Sequence, residues 1–238
     1  MARFPTLSTA FSLALIAGPT TAESPSKTPS RTALALTVRI YDYADPGSAI
    51  IQKAQQEASR VLSQAGIAAT WLDCPLTMEQ REANLACSSP AGPTDLVIRI
   101  LPPAMHPAVS SETGTFGHAL IVKDKPNPTI ASILFGNVER LAWARDMDSS
   151  YGTVHRSISH QRYVGILLGH VIAHEIGHLL LATNKHSRRG LMTSHWDARV
   201  TQDAILQRLY FDSGEEKRIG KQLVRRMKQD GSPSEATL

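Results

Sequence analysis

Most of what can be inferred about this chain depends on one stretch, Val171-Ile172-Ala173-His174-Glu175-Ile176-Gly177-His178-Leu179-Leu180-Leu181. It predicts an apolar helix that carries the pattern His-Glu-x-x-His. Residues four apart on an α-helix lie about 40° apart around the axis and about 6 Å apart along it, so the rings of His174 and His178 can reach one metal ion. The carboxylate of Glu175, about 60° from His178 around the axis, can meet a water at that metal. The alternative is a helix whose two histidines serve only packing.

A catalytic zinc site needs a third protein ligand and an open fourth position. On a continuing helix His186 would stand about 12 Å beyond His178, too far to share an ion, so the chain has to leave the helix and turn back. The segment Ala182-Thr183-Asn184-Lys185 suits that break, because Asn tolerates the left-handed conformation and Lys favours the carboxyl end of the helix dipole. We expect His186 to be the third ligand. The alternatives left open are Asn184, Asp197, Glu215 and Glu216.

Past His186, the segment Ser187 to Met192 is a polar turn that ends in an apolar Leu-Met pair. Together with the histidine pattern, this turn resembles the metzincin clan of zinc peptidases, most closely its matrixin branch. The resemblance implies zinc as the cofactor and Met192 as the turn methionine, with the metal ligands His174, His178 and His186 and the general base Glu175. It also implies an α/β (α+β) zincin fold, in which a small mixed twisted sheet and a long active-site helix precede a mainly helical C-terminal subdomain.

The spacing to the third histidine departs from the family pattern. The usual form has glycine three residues after the second histidine and the third ligand three residues later, where this chain has Leu181 and Asn184. His186 therefore arrives two residues late. We expect Ala182 or Asn184 to reverse the chain in the glycine's place.

The resemblance further implies a zinc metalloendopeptidase that acts on peptide or protein substrates through a zinc-bound water activated by Glu175. The wall of its specificity pocket follows the turn methionine, which indicates His195 and Trp196. Two other functions remain open. One is a secreted zinc-binding module without catalysis, and the other is a zinc hydrolase acting on small amides or on cell-wall peptides.

The first 22 residues have a basic start, an apolar stretch and a small-residue site, which predict a signal peptide cleaved near Ala22 and a secreted or periplasmic protein. Residues 23–33 are rich in Ser, Pro and Thr and predict a flexible linker. Residues 34–228 would form the catalytic domain and 229–238 a disordered tail. No later segment is expected to span a membrane. Cys74 and Cys87 are expected to form a disulfide in an oxidising compartment, with free thiols or zinc ligands as alternatives.

The formal net charge of +4 comes from scattered basic residues and one local run near the C-terminus. That run recurs at helical spacing and predicts the solvated face of an amphipathic helix; its members are Lys217, Arg218, Lys221, Arg225 and Arg226. Nucleic-acid binding would need basic residues interleaved with aromatics, and aromatics are few, so we expect none. We expect a monomer.

Hydrophobic periodicity predicts alternating strands and helices. The predicted strands are Leu34 to Tyr43, Ile67 to Leu72, Asp95 to Leu101, Gly114 to Val122 and Thr129 to Phe135. The predicted helices are Ser48 to Ala65, Val138 to Ala144, Arg162 to Ala182, Thr201 to Tyr210 and Glu215 to Met227, with a polar loop at Tyr151 to Gln161. By analogy with the family, the strand Gly114 to Val122 would form the sheet edge above the cleft. Its His118 is expected to face solvent.

Overall fold

A computed structural model describes residues 34–105, 114–122, 127–146 and 153–230 of the 238-residue chain. The predicted signal peptide at residues 1–22 and the linker at 23–33 lie outside the described residues. Most of the predicted tail, residues 231–238, lies outside them as well. Residues 34–230 belong to one compact unit, so the fold below is that of a single body.

Five strands and seven α-helices make up the described part of the chain, so the predicted mixture of helix and strand is confirmed. In chain order they are β1 (Leu34–Asp42), α1 (Ser48–Gln64), β2 (Ile67–Asp73), α2 (Met78–Ala83), α3 (Leu85–Ser88), β3 (Asp95–Leu101), β4 (Gly117–Ala119), β5 (Ile130–Leu134), α4 (Phe135–Asp146), α5 (Thr153–Leu181), α6 (Ala198–Ile205) and α7 (Ser213–Asp230). A short 3-10 turn, Pro103–Met105, follows β3.

The strands form one mixed sheet in the order β2-β1-β3-β5-β4. Four strands are parallel, and the short β4 runs antiparallel to β5 at the edge of the sheet, with His118 opposite Ser132. The predicted edge position of this strand is confirmed, although the strand covers only Gly117–Ala119 of the predicted Gly114 to Val122. His118 is exposed, as expected.

One face of the sheet carries the main core. Alternate residues of β1, Leu36, Val38 and Ile40, are fully buried and pack with the apolar sides of α1 and α5. In α5, Gly165 and Gly169 allow a close approach of α1, since a Cβ atom at either position would meet α1 atoms at 2.6–2.7 Å. The close contact of these two helices fixes the position of α5, which carries the histidine pattern.

The predicted disulfide between Cys74 and Cys87 is present, with the Cα atoms 5.6 Å apart. The segment between these cysteines carries α2 and α3, each begun by a side-chain cap. The buried Arg39 anchors this segment, with its guanidinium 2.7 Å from both the Ser89 carbonyl and the Asp95 carboxylate. A disulfide is typical of proteins of oxidising, extracytoplasmic compartments.

Helix α5 begins at Thr153, so the prediction of a polar loop over residues 151–161 is wrong from residue 153 onward. No proline or glycine stands between Thr153 and Val164 to end a helix, and polar residues form helix readily on an exposed side. Tertiary packing adds to this, because the buried His160 ring stacks on Trp143 of α4 with a centroid distance of 3.8 Å.

The segment Ser159–Leu181 of α5 is long and apolar enough to cross a membrane by length and composition alone. That no later segment spans a membrane stays a prediction, since length and composition alone do not test it. Of its most apolar 18-residue window, however, 94% is buried inside the protein. A core helix has the same composition as a membrane helix when it is covered on all sides.

Helix α6 spans Ala198–Ile205 rather than the predicted Thr201 to Tyr210. It starts earlier because the Asp197 side chain accepts a hydrogen bond from a first-turn N–H and caps the helix. It ends earlier because Gln207 adopts a left-handed conformation, φ +58°, after which Leu209 turns into the core. Apolar residues that the periodicity assigned to a helix thus belong to a segment without regular secondary structure.

The basic run on α7 is solvated except for Arg226, where the prediction was wrong. Arg226 is 1% exposed and donates to the Leu179 carbonyl at 2.7 Å and the Pro128 carbonyl at 3.1 Å. Leu179 lies in the last turn of α5, whose carbonyls have no partner within the helix, and a buried guanidinium satisfies one of them. The next residue, Met227, is 41% exposed.

Candidate metal centre

Helix α5 brings His174 and His178 together as the four-residue spacing predicts. Both residues are buried, and their Nε2 atoms lie 3.0 Å apart. Their rings meet edge to face with a centroid distance of 4.6 Å. The alternative of two histidines that serve only packing does not explain why two nitrogens of the same kind should face each other at this distance.

The chain reverses immediately after α5. Ala182 adopts the left-handed conformation, with φ +50°. In the family pattern a glycine stands one residue earlier, where this chain has Leu181. The turn carries His186 back to the helix, where its Nε2 lies 3.2 Å from Nε2 of His178. The candidate ligand atoms of His174, His178 and His186 all lie within 4.8 Å of one another, so the two-residue delay does not prevent a three-histidine cluster.

Two hydrogen bonds orient the rings of the helical histidines. Nδ1 of His174 lies 2.7 Å from the Leu191 carbonyl, and Nδ1 of His178 lies 2.7 Å from the Thr183 carbonyl. A carbonyl oxygen only accepts, so both Nδ1 atoms carry the proton and both Nε2 atoms keep their lone pairs. The lone pairs of His174 and His178 therefore converge on one point together with the ring of His186.

This convergence fits a cation. A tetrahedral zinc with Zn–N bonds of about 2.0–2.1 Å separates two ligand nitrogens by about 3.3 Å, close to the observed 3.0 and 3.2 Å. Burial, followed by the neighbouring His178, lowers the pKa of His174 to about 3. Burial also lowers the pKa of His178 and His186. The three rings are therefore neutral at pH 7, the form in which imidazole binds metals.

Glu175 lies beside this cluster and under the edge of the sheet. Its side chain is 3% exposed, and Oε2 has no hydrogen-bond partner in the described part of the protein. Burial raises the pKa of this carboxyl group to about 8. The carboxyl group packs on the backbone of Gly117 in β4, where an added Cβ would lie 2.8 Å from Oε1. A carboxyl group buried in this way ionises readily only beside a positive charge, such as a cation held by the three histidines.

A cavity of about 200 Å³ opens over the cluster. One wall comes from β4 and the residues before it, and the opposite wall comes from α5 and the segment after Met192. The lining residues are Gly114, Thr115, Phe116, Gly117, His118, Ala119, Val171, His174, Glu175, His178, Asn184, His186, Thr193, Ser194 and Trp196. The histidine cluster thus keeps one side open toward a space that can hold a small group or a side chain.

Met192 lies beneath α5, as the turn methionine of the resemblance would. Its carbonyl accepts from the Ser187 N–H at 2.8 Å, and the Thr193 N–H donates to Gly190 at 3.3 Å, so residues 187–193 form a tight turn. The side chain is 1% exposed and contacts α5 at Gly177, where an added Cβ would lie 2.5 Å from the Met192 sulfur. Gly177 is therefore required for this contact.

The alternative third ligands lie elsewhere. Asp197 caps α6, and the Glu215 carboxylate accepts from the Ser187 hydroxyl and from the Asp212 N–H. The Asp212 side chain accepts in turn from the Glu215 N–H, which forms a capping box at the start of α7. Glu216 does not join the metal cluster, and Asn184 lines the cavity over it. Glu215 thus holds the loop that follows His186.

The two predicted pocket residues differ in position. Trp196 is 8% exposed, lines the cavity, and its ring lies 6.4 Å from that of His174. His195 is exposed and does not line the cavity. Ser194 and Trp196, on either side of His195, both line the cavity, so alternate residues of this segment face it.

Several residues of the site were not predicted. They are Gly117 and Phe116 on the edge strand and the carbonyl groups of Thr183 and Leu191 that orient the histidines. The glycine-rich segment around Phe116 could have indicated a close backbone approach. The carbonyl groups leave no trace in the sequence, because every residue has one.

Comparisons of the chain with protein families, with curated proteins and with solved structures found no significant match. The chemistry and geometry of the residues themselves are therefore what supports a function for this chain.

Proposed function

We propose that this chain is a secreted zinc-dependent endopeptidase of metzincin-like architecture. One observation carries the proposal: three histidine Nε2 atoms converge next to the buried carboxyl group of Glu175 on one side of an open cavity. A structural zinc site is closed by four protein ligands. In the described part of the chain the metal cluster has only three, which favours catalysis over the non-catalytic zinc module.

Zinc suits this set of donors better than other common cations. Neutral imidazole nitrogens bind Zn²⁺ well, whereas Mg²⁺ and Ca²⁺ prefer oxygen ligands. Three histidines with an open fourth position are also a donor set of catalytic zinc. When bound, zinc would lower the pKa of a water ligand and polarise the carbonyl of a substrate.

The role proposed for Glu175 is proton transfer. With a cation beside it, the carboxyl group loses its proton and becomes a base at the floor of the cavity. It would take a proton from water as the water oxygen attacks the peptide carbonyl, and deliver that proton to the departing amine nitrogen as the C–N bond breaks. His174 and His178 would hold their positions through the hydrogen bonds to Leu191 and Thr183.

The edge strand supports an extended peptide as substrate. β4 is the last strand of the sheet, and the cavity runs along it from Gly114 to Ala119. A peptide can add to such an edge as a further strand, and one of its carbonyl groups would then lie over the histidine cluster. Phe116 and Trp196, with ring centroids 5.6 Å apart, give the cavity an aromatic wall on which an apolar side chain would pack.

Metal analysis of the purified mature chain, combined with a peptide-library digest, tests the proposal. We expect one zinc ion per chain, cleavage of unfolded protein or peptide substrates, and loss of cleavage after chelation that added zinc restores. A chain purified from zinc-containing medium that binds no metal would refute the proposal. Zinc binding without any cleavage would favour the non-catalytic module, and cleavage restricted to small amides or cell-wall peptides would favour the other hydrolase.

Gly117 should be needed to seat the Glu175 carboxyl group. In Gly117→Ala the new methyl group would lie 2.8 Å from both Oε1 of Glu175 and the Ser132 carbonyl, so we expect kcat/KM on a peptide to fall by about 100-fold, as a 1 Å misplacement of a catalytic group does. The zinc content should stay at one per chain. Gly220→Ala is the matched control, because a Cβ there meets only Leu34 at 3.8 Å. Wild-type activity in Gly117→Ala would show that the carboxyl group does not depend on this contact.

A further inference from the structure

A buried charged cluster lies behind the metal centre and takes no part in the chemistry proposed above. Glu57 in the middle of α1 is 1% exposed, and its carboxylate accepts from Nε of Arg60 at 3.0 Å and from the Gln207 side chain at 2.5 Å. Nε2 of the buried His170 lies 3.4 Å from the same carboxylate. Burial lowers the pKa of His170, so the charge that balances Glu57 is that of Arg60.

Two unusual features of the chain serve this cluster. Gly169 allows Glu57 to approach α5, since a Cβ there would lie 2.6 Å from the Glu57 Cβ. Gln207 holds a left-handed conformation, φ +58°, which is uncommon for residues other than glycine, and its side chain reaches Glu57. Glu57 is fully buried while the Arg60 side chain is 26% exposed, and an ion pair of this kind often stabilises a fold less than apolar packing would, which leaves room for a role besides stability.

From Arg60 the contacts continue to the metal centre. The Arg60 guanidinium donates to the Tyr210 hydroxyl and lies 4.7 Å from the centroid of the tyrosine ring. The backbone carbonyl of Tyr210 accepts from the Leu191 N–H at 2.7 Å. The Leu191 carbonyl in turn accepts from Nδ1 of the metal-ligand candidate His174 at 2.7 Å. Each step of this path is a direct hydrogen bond or a covalent connection within one residue.

We propose that Glu57, Arg60 and Tyr210 are positioning residues for His174. The ion pair on α1 fixes the Tyr210 side chain, the Tyr210 backbone fixes Leu191, and Leu191 sets the ring orientation and tautomer of His174. This inference rests on the proposed metal-binding function. Residues of α1, which contributes no ligand, would then help to set the zinc affinity of the site.

The test measures zinc affinity by competition with a chromophoric chelator, and ligand geometry by the visible absorption of the cobalt-substituted protein. Tyr210→Phe removes only the hydroxyl that accepts from Arg60, and Arg60→Met removes the charge at similar length. We expect each variant to bind zinc about tenfold more weakly, the lower end of the effect of outer-shell partners. We also expect each to shift the cobalt absorption bands.

Arg39→Met is the matched control. Like Arg60, Arg39 is an arginine paired with a carboxylate, Asp95 at 2.7 Å, but Arg39 is buried and its other contacts are with the disulfide segment. The Arg39→Met variant should have a lower unfolding midpoint, with unchanged zinc affinity and an unchanged cobalt spectrum. If Arg60→Met does not fold, Tyr210→Phe still decides the question, because it deletes one oxygen atom from a half-buried side chain.

The possible results separate this inference from the proposed function. Wild-type zinc affinity and an unchanged cobalt spectrum in Tyr210→Phe would overturn the positioning role and leave the zinc site intact. An equal loss of affinity in Arg39→Met would also overturn it, because the effect would then be general instability. A wild-type protein without zinc affinity would refute the proposed function and this inference together.

Discussion

Replacing Glu175 by glutamine should leave zinc bound and remove almost all hydrolysis. Gln has nearly the same shape as Glu, so the contact with Gly117 is kept, but an amide cannot take a proton from water. General-base catalysis contributes about 10²–10⁴-fold, so we expect kcat/KM to fall by about 1,000-fold or more. The measurements are zinc content by metal analysis and initial rates on a peptide found in the library digest.

This variant separates two roles of Glu175. If the residue only shapes the cavity, Glu175→Gln should cleave at the wild-type rate, and the base would have to be sought elsewhere. If it supports metal binding, the variant should lose zinc. Retained zinc with lost activity fits neither of these, and it is the result that the buried, unpartnered carboxyl group leads us to expect.

Replacing His186 by alanine should have the largest effect on metal affinity. The side chain would supply one of three nitrogen ligands, with Nε2 3.2 Å from that of His178. Its loss leaves two protein ligands, and we expect zinc affinity to fall by about 100-fold or more, because ligand bonds supply most of the binding free energy of such sites. Competition with a chromophoric chelator measures this directly.

Two matched variants make this test specific to the delayed histidine. Asn184 occupies the family's usual third-ligand position and lines the cavity, and His195 is an exposed histidine in the neighbouring segment. Asn184→Ala and His195→Ala should bind zinc as the wild type does. A loss of affinity in Asn184→Ala, with none in His186→Ala, would contradict the assignment and return the third ligand to its usual spacing.

The elements of the sheet and the pair of helical ligands could be predicted because they depend on local periodicity. The alternation in Leu34 to Tyr43 and the four-residue spacing of His174 and His178 are properties of short segments. The bounds of β3, Asp95–Leu101, agree to the residue. Where a long-range contact decides the local structure, prediction failed, as it did where His160 packs on Trp143 and α5 starts earlier than expected.

The third ligand candidate, His186, could be predicted only in part. From the sequence His186 was the expected ligand, with Asn184 and other residues as alternatives. Helix geometry showed only that the chain has to leave the helix before His186. The left-handed conformation of Ala182 brings His186 to the cluster, and an alanine gives little local indication of such a turn. The hydrogen bond of Glu215 to Ser187 then holds the segment after His186, which explains why a carboxylate suggested as a ligand serves the loop instead.

What the sequence by itself determined about this protein is the helix that carries two metal-ligand candidates with a carboxylate between them. That pattern needs only the geometry of one helix. Only the tertiary structure decided the surroundings on which the proposed chemistry depends. These are the cover of β4 over Glu175, the carbonyl groups that fix the histidine tautomers, and the ion pair of α1 behind them. These contacts join residues far apart in the chain, and their energies depend on burial and direction, which a one-dimensional pattern does not contain.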